Sequence, residues 1–241
     1  MINSKYILSF CLFISQLTLL ARAGGGGTSG GGGGGGLHSF HSHGGNGDSS
    51  SFFVLFLVII AILLFVVGGQ YMASQKNKKN LQLLKLASEY DVTWNLEYIK
   101  KHTFDVFVEL QKVWEEKKVK KVRSLITSKC FDDLSKKLND LNERQLINII
   151  ENIEINKIDI ISIKDYKDNS KDSYIAVIEG KMIDYSIDEI TKRELINPNK
   201  DVMDFKDSYE FIRVGNKWVL DAIVNNPTLS YVINNNSYKE E

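Results

Sequence analysis

ENIEINKIDIISIKDYKDNSKDSYIAVIEGKMIDY, residues 151–185, changes the hydrophobic period of the chain. Upstream, apolar residues return every three or four positions; inside it they return every second. Ile153, Ile155, Ile158, Ile160 and Ile163 predict one long strand, or a strand with a bulge near Lys157. Tyr166–Asp172 reads as a turn. Tyr174, Ala176, Ile178, Gly180 and Met182 then alternate with polar neighbours and with Ile175, Val177 and Ile183, as a second strand does.

Working back from this stretch, Leu96, Ile99, Thr103, Phe107, Leu110 and Trp114 mark an amphipathic helix from about Trp94 to Lys117. Asp91 or Thr93 is its expected cap. Val119, Val122, Leu125 and Ile126 predict a second, short helix. A third follows, capped by Thr127 or Ser128, with Phe131, Leu134, Leu138 and Leu141 on one face. Working forward, Ser186–Asp204 is less regular and holds Pro198, so a loop or short edge structure is expected. Lys206–Val214 and Lys217–Val224 form a hairpin over Gly215-Asn216, a pair suited to positive backbone dihedrals. Helices followed by antiparallel strands give an α+β fold, with three helices covering the concave face of a curved sheet.

The N-terminal third obeys different physics. Sixteen of the 18 glycines lie between Gly24 and Gly69. Lys5, the apolar run Tyr6–Leu20 and Ala21-Arg22-Ala23 have the three parts of a secretory signal, so residues 1–23 are expected to be a signal peptide. Residues 24–51 are a glycine-rich loop with nothing to bury, expected to be disordered. No Gly-Lys-Ser/Thr follows it, so it is not a phosphate loop. His38, His41 and His43 stand close together, but only Asp48 is beside them; a polar loop is the plainer reading than a metal site, and no metal is expected. Residues 52–72 are apolar but for one strongly polar side chain, the length that crosses ~30 Å of hydrocarbon. Lys76, Lys78 and Lys79 follow, which by the positive-inside rule puts the C-terminal side in the cytoplasm and the glycine loop outside. Residues 73–92 read as a polar linker with some helical character from Leu81, Leu84 and Ala87. Residues 93–225 are the folded domain, and 226–241 a polar tail expected to fray.

Charge narrows the function. Leu81–Glu241 holds 25 basic and 29 acidic residues, a net of −4. A mildly acidic domain is a poor partner for nucleic acid, so none is expected. The two cysteines, Cys11 and Cys130, cannot form a disulfide framework, and Cys130 reads as a small core residue. His102 is the one histidine of the domain, too few for a triad or a zinc site. Asp184-Tyr185 near a strand end is the candidate for acid–base chemistry, and core or rim packing is the plainer account. No catalytic residue, metal or cofactor is therefore assigned. Lys117, Lys118, Lys120 and Lys121 read as a solvated surface or as contacts to anionic lipid.

Three stretches carry a resemblance. Phe104-Asp105-Val106-Phe107-Val108-Glu109-Leu110-Gln111-Lys112-Val113-Trp114, then Val119–Leu134, then Phe205–Arg213 with Trp218–Ile223, resemble in order the first helix, the next two helices and the terminal hairpin of the Tim44-like domain family. The family is named for subunit 44 of the mitochondrial inner-membrane translocase. The likeness covers roughly Thr93–Asn225. It implies a nuclear-transport-factor-2-like cone, a curved sheet wrapping a long helix, with an apolar pocket. Phe104, Phe107, Trp114, Tyr209, Phe211 and Trp218 are the candidate lining; plain core packing is the alternative. The resemblance also implies inner-membrane association and contact with cardiolipin-type lipid. The translocase subunit recruits a heat-shock chaperone through segments N-terminal to the domain; here a signal, a glycine loop and a span stand in that place, so that role is not carried over. Bacterial members with such a loop and span are the nearer model. The expectation is a non-enzymatic binding or scaffold module tethered to a bacterial inner membrane, with a membrane-protein partner, in protein translocation or complex assembly. The alternative is a small apolar ligand or lipid in the cone; an isomerase-type enzyme ranks third.

Overall fold

The polar residues after the apolar run do not break its helix. In the computed structural model, which describes residue 23 and residues 49–240, α1 is one helix from Ser49 to Ser88, 40 residues and ~60 Å long. Its first half leaves Val54, Leu55, Phe56, Ile62, Leu63 and Leu64 exposed. Among the described residues it is the one helix long and apolar enough to cross a membrane. The chain divides after Gln75 into two units, and α1 runs through that point. The signal, the histidine cluster and nearly all of the glycine loop lie outside the described residues.

Residues 73–92 are therefore no linker. Lys76–Ser88 belongs to the same unit as the sheet, with Asn80, Leu84 and Ala87 buried. The polar stretch misled because only a narrow stripe of its helix faces inward. A short 3-10 turn, Val92–Trp94, follows, with Asp91 accepting from the Thr93 N–H. Asn95, not Asp91 or Thr93, caps the next helix by accepting from the Tyr98 N–H at 3.0 Å. That helix, α2 (Leu96–Glu115), buries Ile99, Thr103, Phe107, Leu110 and Trp114, the stripe read from the sequence. The expected second helix is only a 3-10 turn at Val119–Val122. Thr127 caps α3 (Ser128–Glu143), whose Cys130, Leu134, Leu138 and Leu141 are buried.

The six-stranded sheet runs in the order β5 (Lys217–Asn225), β4 (Val202–Val214), β2 (Ser173–Asp188), β1 (Leu146–Asp165), β6 (Tyr238–Lys239), with β3 (Glu194–Ile196) beside β2. β1 (Leu146–Asp165) starts earlier than its isoleucines suggested and shifts register at three places, one of them between Ile155 and Lys157. These bulges curl the sheet. Gly180 makes one of them possible. A Cβ there would lie 2.2 Å from the Glu154 carbonyl oxygen and 2.8 Å from the Phe205 ring, so no other residue fits. β2 is Ser173–Asp188, and β3 (Glu194–Ile196) adds the short edge structure expected there. β4 (Val202–Val214) and β5 (Lys217–Asn225) form the hairpin, with Gly215 at φ +59° in its turn. α2 and α3 pack on the inner face, giving the α+β cone.

The tail does not fray. A short helix, α4 (Leu229–Asn234), lays Tyr231 and Val232 on Ile161, Ile175 and Val177. β6 (Tyr238–Lys239) then pairs in parallel with Lys164–Asp165 at the edge of β1. Lys76 donates to the carbonyls of Val232 at 2.6 Å, Ile233 at 3.1 Å, and Asn235. Ser237 donates to Asn80 Oδ1 at 2.6 Å, and Asn80 Nδ2 donates to the Ile160 carbonyl at 3.2 Å. Lys76 thus takes up the free carbonyls at the end of α4, which water would otherwise satisfy. Sequence pattern gave no warning, because the partners lie 80 to 159 residues apart.

Candidate functional site

The end of α2 creates a basic groove by steric necessity. Lys117 sits at φ +56°, a left-handed position that stops the helix, and the Lys118 N–H turns back to the Val113 carbonyl at 2.8 Å. The chain next forms the 3-10 turn Val-Lys-Lys-Val. Both valines, Val119 and Val122, are buried, so Lys120 and Lys121 are driven outward. The facing wall is α3, which contributes Phe131, Ser135, Leu138, Asn139 and Asn142 at helical spacing. The groove between them encloses about 460 Å³ and is lined by all four of Lys117, Lys118, Lys120 and Lys121.

The rim is more basic than acidic. Lys121 donates to Glu116 at 2.6 Å, with Lys118 3.5 Å from the same carboxylate. The Lys121 hydrogen bond, with Lys118 nearby, holds Glu116 below the usual carboxylate range. Lys117 bridges to Glu189 at 3.3 Å. Lys120 has no carboxylate partner among the described residues. Val119, Phe131 and Leu138 supply apolar contact, and the amides of Asn139 and Asn142 supply donors and acceptors. Such a surface suits an anion that carries an apolar part. Arg123 stiffens the adjoining corner: its guanidinium donates to the Ile126 carbonyl and the Ser128 hydroxyl, 5.2 Å from the Phe131 ring centroid.

The six candidate aromatics fall differently. Phe107, Trp114, Tyr209, Phe211 and Trp218 are all buried, in one core cluster with Phe205, Tyr174 and Trp94. Phe107 stacks on Phe205 at 5.5 Å, Tyr174 on Phe211 at 4.6 Å, and Trp218 meets Trp94 edge-on at 4.7 Å. These rings fill the cone as core. Phe104 is a correction: it is 44% exposed on the outer side of α2 and lines nothing inside.

Asp184 and Tyr185 are neighbours on a strand, so they point to opposite faces. Asp184 is buried and accepts from Asn148 Nδ2 at 2.6 Å, while Trp114 Nε1 donates to Asn148 Oδ1. The Tyr185 hydroxyl donates to Glu151 at 2.8 Å. The fold thus does not bring the two together. His102 is held at 3.1 Å from the Trp218 carbonyl with its ring against Phe211, and burial lowers its pKa. Burial pushes the Cys130 thiol up to about 12, which keeps it protonated.

The four lysines were legible in the sequence, but the α3 wall was not, since Ser135, Asn139 and Asn142 read as an ordinary polar face. Among the described residues no group of histidine, cysteine and carboxylate side chains is arranged to hold a metal ion.

Residues 82–225 match the family model described as the Tim44-like domain. Among solved structures, the chain is similar to the crystal structure of the intermembrane space region of chloroplast protein ARC6. The identity is 11% and the TM-score 0.38, over 52% of this chain and 94% of that one. No curated protein matches the chain.

Proposed function

The chain belongs to the Tim44-like domain family, and from that premise we propose a non-enzymatic binding or scaffold module. It works at the surface of a bacterial inner membrane, in protein translocation or the assembly of membrane complexes. α1 crosses the bilayer once, by way of residues 52–72, and the lysines after it hold the folded domain in the cytoplasm. The glycine loop lies on the outer side.

The observation that carries the reading is the groove. Four lysines line it beside apolar side chains, on a domain whose first helix is continuous with the candidate span. A tether keeps such a surface at high local concentration near headgroups, so even weak attraction to anionic lipid is expressed. The family membership supports the coarse role; lipid contact through Lys117, Lys118, Lys120 and Lys121 is the finer claim.

The test uses the full chain reconstituted in vesicles of neutral lipid, or of neutral lipid mixed with cardiolipin. Lysine acylation is read by mass spectrometry at low and high salt. Protection of Lys120 and Lys121 that needs cardiolipin and fades with salt is expected. Equal labelling in both vesicles would sink the lipid claim and move attention to a protein ligand for the groove.

A further inference from the structure

We propose that the turn between β2 and β3, Asp188–Arg193, is an interfacial anchor, with Ile190 entering the headgroup layer of an anionic bilayer beside the groove lysines. This deepens the lipid-facing reading of the groove and rests on it.

Ile190 is 70% exposed at the turn, a place where small polar residues are the usual choice. A lone exposed apolar side chain is ordinary. This one is held out by a built support. Asp188 Oδ1 accepts from the Ile190 N–H at 3.0 Å, the Thr191 N–H at 2.6 Å and the Thr191 hydroxyl at 2.9 Å. The Lys192 N–H closes the loop onto the Asp188 carbonyl at 3.0 Å, with Lys192 at φ +58°. The hydrogen bonds from Thr191 hold the Asp188 carboxyl below its ordinary range, so the support persists at neutral and mildly acidic pH. A turn fixed in this way loses little freedom when its tip is buried.

The base of the turn is tied to the groove. The Glu189 N–H donates to the Gln145 carbonyl at 2.7 Å, and Lys117 of the groove bridges to the Glu189 carboxylate at 3.3 Å. Lys192 and Arg193 follow the tip on its C-terminal side, adding two cations to the four that line the groove. Against these six cations stand the carboxylates of Glu116, Asp188 and Glu189, which leaves the basic groups in excess. An apolar tip with cations on its C-terminal side and in the adjoining groove matches a surface of anionic headgroups over hydrocarbon. A protein partner has no comparable claim, because the apolar part is a single side chain rather than a patch.

The test is an Ile190→Cys chain carrying an environment-sensitive fluorophore. The buried Cys130 thiol does not react, and Cys11→Ser removes the other cysteine. The full chain is placed in neutral and in cardiolipin-containing vesicles. An emission blue shift with anionic lipid, together with quenching by lipid brominated in the acyl chains, is expected. Replacing all four groove lysines by glutamine should abolish both. An unshifted probe while Lys120 and Lys121 are still protected by cardiolipin would overturn the anchor and leave the groove reading intact. An unshifted probe with no lysine protection would overturn both. A shift that requires an added protein rather than lipid would also overturn the anchor. Unchanged thermal melting of the labelled chain shows that the turn variant folds.

Discussion

Replacing Asp172 by asparagine should stabilise the protein at neutral pH and remove a pH dependence from its unfolding. Asp172 is 1% exposed just before β2. Its Oδ1 accepts from the Tyr166 N–H at 2.8 Å, but Oδ2 has no hydrogen-bond partner among the described residues. Burial, with Asp165 and Asp91 nearby, pushes its pKa from the ordinary 3.8 to about 6, against the pull of the Tyr166 N–H and Arg213. An acid with a raised folded pKa binds more protons when folded. Its contribution is complete below about 4 and is lost as pH rises through about 6. At about 1.4 kcal/mol per pH unit, the ceiling is ~3 kcal/mol. Relaxation of the surroundings and water penetration around the charge reduce this to ~1–1.5 kcal/mol. Asparagine keeps the bond from Tyr166 and carries no charge. At pH 7.5 the variant should therefore melt about 3–5 °C higher; at pH 4 the two should coincide. The assay is thermal melting of the detergent-solubilised full chain from pH 4 to 8, followed by tryptophan fluorescence. A variant less stable at pH 7.5, or an advantage that persists at pH 4, would refute the reasoning.

Other substitutions test the packing. Leu84→Ala should cost about 3 kcal/mol, because its side chain is 2% exposed in the core; a loss under ~1 kcal/mol in a thermal melt would return residues 73–92 to the status of a linker. Lys76→Met leaves the carbonyls of Val232, Ile233 and Asn235 without their shared donor. Limited proteolysis should then cut within residues 229–240 several-fold faster, while the hairpin of β4 and β5 stays protected; unchanged cutting would mean the tail is held by β6 and Tyr231 alone. Gly180→Ala puts a methyl against the Glu154 carbonyl and should cost at least about 2 kcal/mol or prevent folding; near-normal melting would contradict the bulge geometry.

Much of the domain was legible because its elements obey local rules. The α2 stripe keeps its period from Ile99 to Trp114, and the hairpin announces itself at Gly215. What escaped reading was held by long-range polar contacts. Lys76 looks like a charge flanking a span, yet its ammonium group is half-buried at the end of α4 and burial lowers its pKa. Asn235, Asn236 and Ser237 look like a frayed tail, yet Asn236 receives the Ser162 hydroxyl at 3.0 Å and Ser237 receives the Ile163 N–H at 3.1 Å. The candidate site was half readable for the same reason. Lys117, Lys118, Lys120 and Lys121 form one sequence cluster, whereas Phe131 and Asn142 join them only when α3 folds back across the 3-10 turn.

The seating of the last residues against Lys76 and Asn80 has a consequence for biosynthesis. The lysine is made 156 residues before its first acceptor, the Val232 carbonyl. Until residues 229–240 are made, its ammonium group lacks these acceptors, and the apolar surface of Ile161, Ile175 and Val177 lacks the cover of Tyr231 and Val232. Any strand pair of β1 and β2 formed before that segment arrives presents a sticky outer face, a condition that favours aggregation. A stop codon placed just before Leu229 would make that exposure permanent.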